Sequence, residues 1–415
     1  MKKQLLTASL AFSALASFGA GYQINLEGLR QMAMGGAGSA WVWDASTIFY
    51  NPGGVARLKT LQAYGSIMNI NPSTAYGNTT GSTRSVAQSF TTFNFYFGGT
   101  VKKDSRLGLG LGIYTPFGNG LKWEDGWTGR FLTQEVQLRT IFVQPTVSYK
   151  LGEFLSVGAG FIYANGTFML RNAIPVQQYG AGYTYGPNAD GGVDMRGQGN
   201  GVGFNLGLHF KPSDNLQVGL TYRSQVNMNV GGGNATFYVP TSLKTEFPNG
   251  QFETSLPLPQ VASLGIGFRP LGSDKLTICA NVDYTGWNSF DSLVINFKQH
   301  TDQLKDQHVP RHYKNTTTYR LGGTYKISKV VSAMAGASYD QSPTVQGFVS
   351  PDLPDYDRVN ISFGASVRPA KRITLLAACE FTATPKHAVT YDFGNFNGTY
   401  TTQAITVGIG AHYNF

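Results

Sequence analysis

The 415-residue chain carries 52 glycines, 13% charged residues and a formal net charge of +9. Soluble domains average about 25% charged residues and about 7% glycine, while 27 Phe, 22 Tyr and 5 Trp are far too many aromatics for a disordered chain. Outside the first twenty residues no apolar run approaches the ~18 residues that a spanning helix needs. What remains is the transmembrane β-barrel, whose alternating strands average out in a hydropathy window.

Residues 1–19 read as a signal peptide. Lys2 and Lys3 supply its charge and Leu5 to Ala16 its apolar stretch. Ser17 and Gly19 supply the small residues at −3 and −1 of a cleavage after Gly19. Between residues 20 and 60 the two-residue alternation is absent. Small residues dominate there, with Trp41, Trp43, Phe49 and the Asn51-Pro52-Gly53 run among them. That composition predicts a small N-terminal hatch packed inside a barrel, where small side chains permit close approach to the wall. The Gly-rich run from Gly35 is not a phosphate loop, because no Gly-Lys-Ser/Thr follows it.

From residue 61 to 415 the pattern changes to strands, the first expected over Leu61 to Asn71. Leu107, Leu109, Leu111 and Ile113 alternate with Gly108, Gly110 and Gly112, and the last residues place apolar side chains at odd positions from Ile405 to Phe415. Six tight polar turns are expected near 102–105, 150–153, 211–215, 269–274, 327–329 and 368–371. Seven long loops lie near 72–85, 117–133, 171–199, 231–256, 287–313, 340–357 and 385–399. Six short and seven long connections join fourteen strands with both ends on the short-turn side, the asymmetry of outer-membrane proteins. The expected fold is all-β, a 14-stranded antiparallel transmembrane barrel plugged by the hatch, although alternation alone also fits a soluble sandwich or propeller. Inward glycines leave lumen space for water or a plug.

Chemistry-bearing residues are sparse. The six histidines lie at 209, 300, 308, 312, 387 and 412 without a His-Glu-x-x-His, and no Gly-x-Ser-x-Gly occurs. Cys279 is expected to face inward and Cys379 outward on distant strands, so neither a disulfide nor a metal site is expected. No enzyme activity, cofactor or nucleic-acid partner follows. The loops do carry aromatic clusters, with Tyr179, Tyr183 and Tyr185 in the third and Phe237, Tyr238, Phe247 and Phe252 in the fourth. Such clusters mark a binding surface or an interfacial girdle. Strand parity places Lys314, Arg320 and Arg223 inward, where they could meet a ligand carboxylate, face water, or pair with inward Asp283 and Glu380.

Several motifs resemble the FadL/TodX family of outer-membrane transporters for long-chain fatty acids and other hydrophobic compounds. They are Ala20-Gly21-Tyr22-Gln23, Met34 to Gly38, Asn51-Pro52-Gly53 (with Gly where the family has Ala), and Thr115-Pro116-Phe117-Gly118 followed by Trp127-Thr128-Gly129-Arg130. Further matches are Leu256-Pro257-Leu258-Pro259, Trp287-Asn288-Ser289-Phe290, Ser342-Pro343, and Pro351 to Arg358. The resemblance implies a ligand groove between the third and fourth loops and a barrel pocket with a basic position near Lys314. It also implies hatch movement about Asn51, Pro52 and Gly53, and lateral release beside the third strand, where Gly108, Gly110 and Gly112 would offer little obstruction. The expected protein is a monomer in the bacterial outer membrane that passively transports hydrophobic molecules, long-chain fatty acids first. Its expected partners are that ligand, outer-membrane lipid and lipopolysaccharide, and the barrel assembly machinery. An aromatic-hydrocarbon channel and a non-transporting surface barrel, adhesive or structural, are the alternatives.

Overall fold

A strand facing lipid on one side and a crowded lumen on the other needs apolar residues at every second position, with small or polar ones between. The computed structural model describes residues 21–102, 105–179, 190–270 and 274–415, and among these it builds fourteen wall strands on that pattern. They begin with β1 (Gln62–Asn78), β2 (Phe90–Thr100), β3 (Leu107–Tyr114, resumed at Gly118–Lys122), β4 (Glu135–Lys150) and β5 (Leu155–Ile174). Next come β6 (Gly191–Ser213), β7 (Leu216–Arg223 and Val226–Tyr238), β8 (Gly250–Leu258 and Val261–Phe268) and β9 (Leu276–Thr285 and Ser292–Phe297). The set ends with β10 (Gln307–Pro310 and Thr316–Lys326), β11 (Val331–Asp340), β12 (Arg358–Ala370), β13 (Ile373–Ala383 and His387–Tyr391) and β14 (Phe396–Asn414). Neighbours pair antiparallel, and β1 closes the barrel against β14 from Gln62↔Asn414 to Gly77↔Thr399. Outward residues on β14 such as Ile405, Val407 and Ile409 are exposed, whereas Thr406 between them is buried.

The strands outrun the loops expected from the sequence. β1 continues to Asn78 and folds back through a short strand, Gly81–Arg84. β5 and β6 stay paired up to Ile174↔Gly191. Beyond the membrane both faces of a strand meet water, so the alternation fades while the hydrogen-bond ladder continues. Cys279 is buried and Cys379 half-buried on separate strands, both as free thiols.

The N-terminal segment lies within the barrel. A five-residue helix α1 (Leu29–Ala33) is followed by Gly35 and Gly36 at φ +67° and +83°, a turn open to glycine at little cost. A short helix α2 (Thr47–Tyr50) then leads into a 3-10 turn, Pro52–Arg57. The inward wall glycines are the seats for this backbone. A β-carbon on Gly322 or Gly336 would collide with Met34, one on Gly219 with the Ser39 carbonyl, and one on Gly158 with the Pro52 carbonyl. The lumen space left by those glycines is thus taken up by polypeptide. The expected signal peptide lies outside the described residues.

Candidate functional site

Asn51 is buried and ties the N-terminal segment to itself and to the wall. Its Nδ2 donates to the carbonyls of Ser39 (2.8 Å) and Leu208 on β6 (3.0 Å), and its Oδ1 accepts from the Gly53 amide (3.0 Å). Pro52 opens the 3-10 turn with φ already set. The Gly53 carbonyl accepts from Ser148 (3.1 Å) and Ser156 (2.8 Å) on β4 and β5. A β-carbon on Gly53 would stand 2.8 Å from the Gly207 carbonyl. The departure from Ala therefore lets this turn lie flat on the wall.

Above the segment is a cavity of about 600 Å³, bounded by residues 21–26, the upper parts of β1 to β4, residues 353–355, and inward residues of β12, β13 and β14. Leu26, Phe90, Phe117, Leu121 and Leu138 give it an apolar side, and Asn360, Thr382, Thr384 and Thr402 a polar one. Its lining includes Thr91, Phe93 and Ile141, which are exposed on the lipid side of their strands. An intact wall does not let one cavity reach both of its faces.

The break has a local cause. β2 and β3 pair only as far as Asn94↔Tyr114. Residues 115–117 then oppose just two residues of β4, because pairing resumes from Phe142 to Arg139 while β3 advances from Tyr114 to Gly118. This is a bulge, and Pro116 within it has no amide to donate. Beyond it the upper piece of β3 pairs with β4 alone. The free edge is taken by the N-terminal segment. Ile24 N donates to the Pro116 carbonyl (2.8 Å) and Gly118 N to the Tyr22 carbonyl (2.9 Å), so Gln23 and Phe117 face each other as a bridge. Thr92 and Thr115 hydroxyls hydrogen-bond at the rim.

Most motifs that seemed scattered in the sequence converge on this stretch. Tyr22 stacks edge-on against Trp287 (4.7 Å) and Phe290 (5.7 Å) and donates its hydroxyl to the Pro257 carbonyl. Asp355 accepts from the Gly21 amide (2.8 Å) and the Ser342 hydroxyl (3.0 Å), and burial pushes its carboxyl above the usual range. Its loop is held by the Arg311–Asp352 pair (2.7 Å). None of these mutual contacts was legible in the sequence. The one local signal was Pro116 inside a strand pattern.

The expected site residues separate. Arg320 lines the cavity but is engaged by Asp283 (2.5 Å), with Asp340 at 3.8 Å. Arg223 donates to the Phe49 carbonyl (2.8 Å) and lies 3.9 Å over the Phe49 ring, beside a separate small cavity of about 40 Å³. Lys314 is exposed and does not line the large cavity. Parity fails there because β10 is interrupted at residues 311–315, where His312 has φ +47°. Gly108, Gly110 and Gly112 are paired on both sides and face the N-terminal segment, with Ile48 and Ala56 against them, so the wall is closed at these glycines and opens beyond Tyr114. Phe237 is buried with Phe247 (5.9 Å) and Phe297 (6.2 Å), because the prolonged β7 turns it off the surface, whereas Tyr238 is exposed. Tyr183 and Tyr185 lie outside the described residues.

Residues 8–415 match the model of a family described as outer membrane protein transport protein (OMPP1/FadL/TodX). The long-chain fatty acid transport protein of Escherichia coli K12 is 23% identical, over 88% of each chain. Among solved structures, a Pseudomonas aeruginosa FadL homologue superposes with a TM-score of 0.80 at 21% identity, covering 96% of this chain and all of that one. The Pseudomonas putida toluene transporter TodX gives 0.73 at 17% identity, covering 94% and 98%.

Proposed function

Because the chain belongs to the OMPP1/FadL/TodX family of outer-membrane transport proteins, we propose that it carries long-chain fatty acids through the 600 Å³ cavity and releases them sideways through the break in β3. Membership alone makes it an outer-membrane protein of a family that moves hydrophobic compounds. The observation that carries the finer reading is a single cavity lined from both the lumen and the lipid side, at a place where β2 and β3 have ceased to pair.

An acyl chain gains about 0.8 kcal/mol per buried CH₂, so a wet pore is a poor route for it. The apolar side of the cavity receives the chain, and the sideways exit lets it reach the bilayer without crossing the lumen. An amphiphile also makes use of the polar side, which a plain hydrocarbon leaves idle. Residues 22–24 stop the break through two hydrogen bonds. Breaking those two bonds costs about 1 kcal/mol each, while Tyr22 keeps its ring against Trp287 and Phe290, so residues 23 and 24 swing from this anchor as the moving part. Residues 29–57, seated on the wall glycines, stay.

The test is a reversible lock. Gln23 and Phe117 form the non-hydrogen-bonded pair of their bridge, which brings Cα atoms to about 4.5 Å, inside disulfide range. In cells lacking their own transporter, the doubly substituted Gln23→Cys, Phe117→Cys protein should lose oleate uptake when oxidised and regain it on reduction. Full uptake in the oxidised state rejects the exit. Transport of toluene but not oleate by the unlocked protein assigns the chain to aromatic hydrocarbons.

A further inference from the structure

Three arginines line the large cavity, and two are committed: Arg320 to Asp283 and Asp340, and Arg358 to Asp340 (3.3 Å). The interior also carries Asp355 and Glu380, so its carboxylates balance or outnumber its cations and a ligand carboxylate finds no free partner there. The third arginine, Arg139, stands differently. On β4 its neighbours Leu138 and Thr140 are buried while Arg139 and Ile141 are exposed, which puts its side chain on the outside of the barrel. It nevertheless lines the same cavity, because its register partner is Gly118, the first residue after the bulge. A β-carbon at Gly118 would meet Ile24 at 2.8 Å, so the stopper lies against Arg139's own partner. Among the described residues no acidic group pairs with it.

The level is equally specific. Going up the outer face of β4, Tyr149, Val147, Pro145, Val143 and Ile141 form an apolar column, and Arg139 is the first charge above it. On β5 the outward column passes from Phe161 and Tyr163 to Asn165 and Thr167, and Thr167 is paired with Arg139. Aromatic side chains mark the edge of the apolar band, so Arg139 stands just beyond it, at head-group height. An amphiphile leaving through the break puts its chain beside Phe93 and Ile141, but its carboxylate cannot follow cheaply into hydrocarbon.

The geometry points to Arg139 as a carboxylate-binding station on the lipid side of the exit, which holds the head group of a departing fatty acid while its chain enters the outer leaflet. The guanidinium fork matches a carboxylate with two parallel hydrogen bonds. This inference rests on the lateral route proposed above and adds to it the anionic head as the feature read at the door.

Uptake of oleate and of oleyl alcohol, which has the same chain and no charge, separates the possibilities in cells lacking their own transporter. Arg139→Ala should slow oleate by roughly three- to tenfold, an exposed charge-assisted contact being weaker than a buried one. Oleyl alcohol should be unaffected, Arg139→Lys should restore part of the rate by keeping the charge without the fork, and heat-modifiable folding should be unchanged. In phosphatidylcholine nanodiscs free of lipopolysaccharide, oleate binding should fall by the same factor. A loss confined to lipopolysaccharide-containing membranes would overturn the inference, since the arginine would then hold a lipid phosphate. Equal losses for both probes would overturn it too, as would none for oleate. If the wild type moves both probes and Arg139→Ala matches it, only this station falls. If the wild type moves neither, the transport reading itself fails.

Discussion

Asn51→Ala is the sharpest perturbation of the seated segment. It deletes two donated bonds and one accepted bond, at 2.8, 3.0 and 3.0 Å, from a buried side chain. At about 1 kcal/mol each the loss is about 3 kcal/mol, and the Ser39 and Leu208 carbonyls lose a donor in a place sheltered from water. Only the bond to Leu208 joins segment to wall; the other two hold the turn itself. The ratio of ordered to loosened turn should therefore fall about a hundredfold, while the ladder that closes the barrel from Gln62↔Asn414 onward keeps every bond. Hydrogen exchange read on peptides covering residues 47–58 should lose about two orders of magnitude of protection, and peptides from β1 and β14 should not change. The unheated protein should still migrate as a folded barrel, with reduced oleate uptake. Unchanged protection at the Gly53 amide would refute the assignment of Asn51 as the fastener. Collapse of the barrel together with the turn would refute the separation of the two.

Deleting Phe415 should lower the folded fraction in the outer membrane, because its amide donates to the Leu61 carbonyl (3.0 Å) and its ring meets Phe97 (5.9 Å) across the closing seam; unheated gel migration reads this. Arg320→Ala should destabilise by about 3–5 kcal/mol by stranding Asp283, whereas Lys314→Ala, at an exposed position, should leave both stability and oleate uptake near wild type; denaturant melts and uptake rates check the pair. Burial raises the carboxyl of Asp357, in the loop before β12, to about 7. Its protonated form is thus the one the fold favours, and the stability it contributes is present below about pH 4 and is lost as pH rises towards 7. Limited proteolysis of residues 342–357 should accordingly quicken from pH 5 to pH 8, and Asp357→Asn should flatten that dependence.

The barrel was legible because its physics is periodic. Ile405, Val407 and Ile409 against Thr406, Gly408 and Gly410 report one face in lipid and one in the lumen, and Lys150 to Glu153 or Lys211 to Asn215 report the ends. The inward glycines were legible as space but not as seats, since a missing side chain does not say which backbone will lie on it. Lys314 was misplaced because parity was carried backward from Thr318 across a stretch where the strand stops. The break in β3 left only Pro116 as a sign, and its partners Tyr22, Trp287 and Asp355 are brought together solely by closure. Arg139 belonged to an ordinary alternating strand; nothing but the neighbouring bulge makes it special.

Residues 21–61 run directly into β1, and β1 is one side of the seam that closes the barrel. That stretch is therefore tethered at the seam itself, and its place inside is most open before the last strand zips. A barrel that seals with that stretch outside can admit it later only endwise, sliding it over wall seats that are already in place. Late threading is thus slower than threading before closure. The glycine seats on β5, β6, β7, β10 and β11 give the growing wall a mould to form against, so correct threading and rapid closure favour each other.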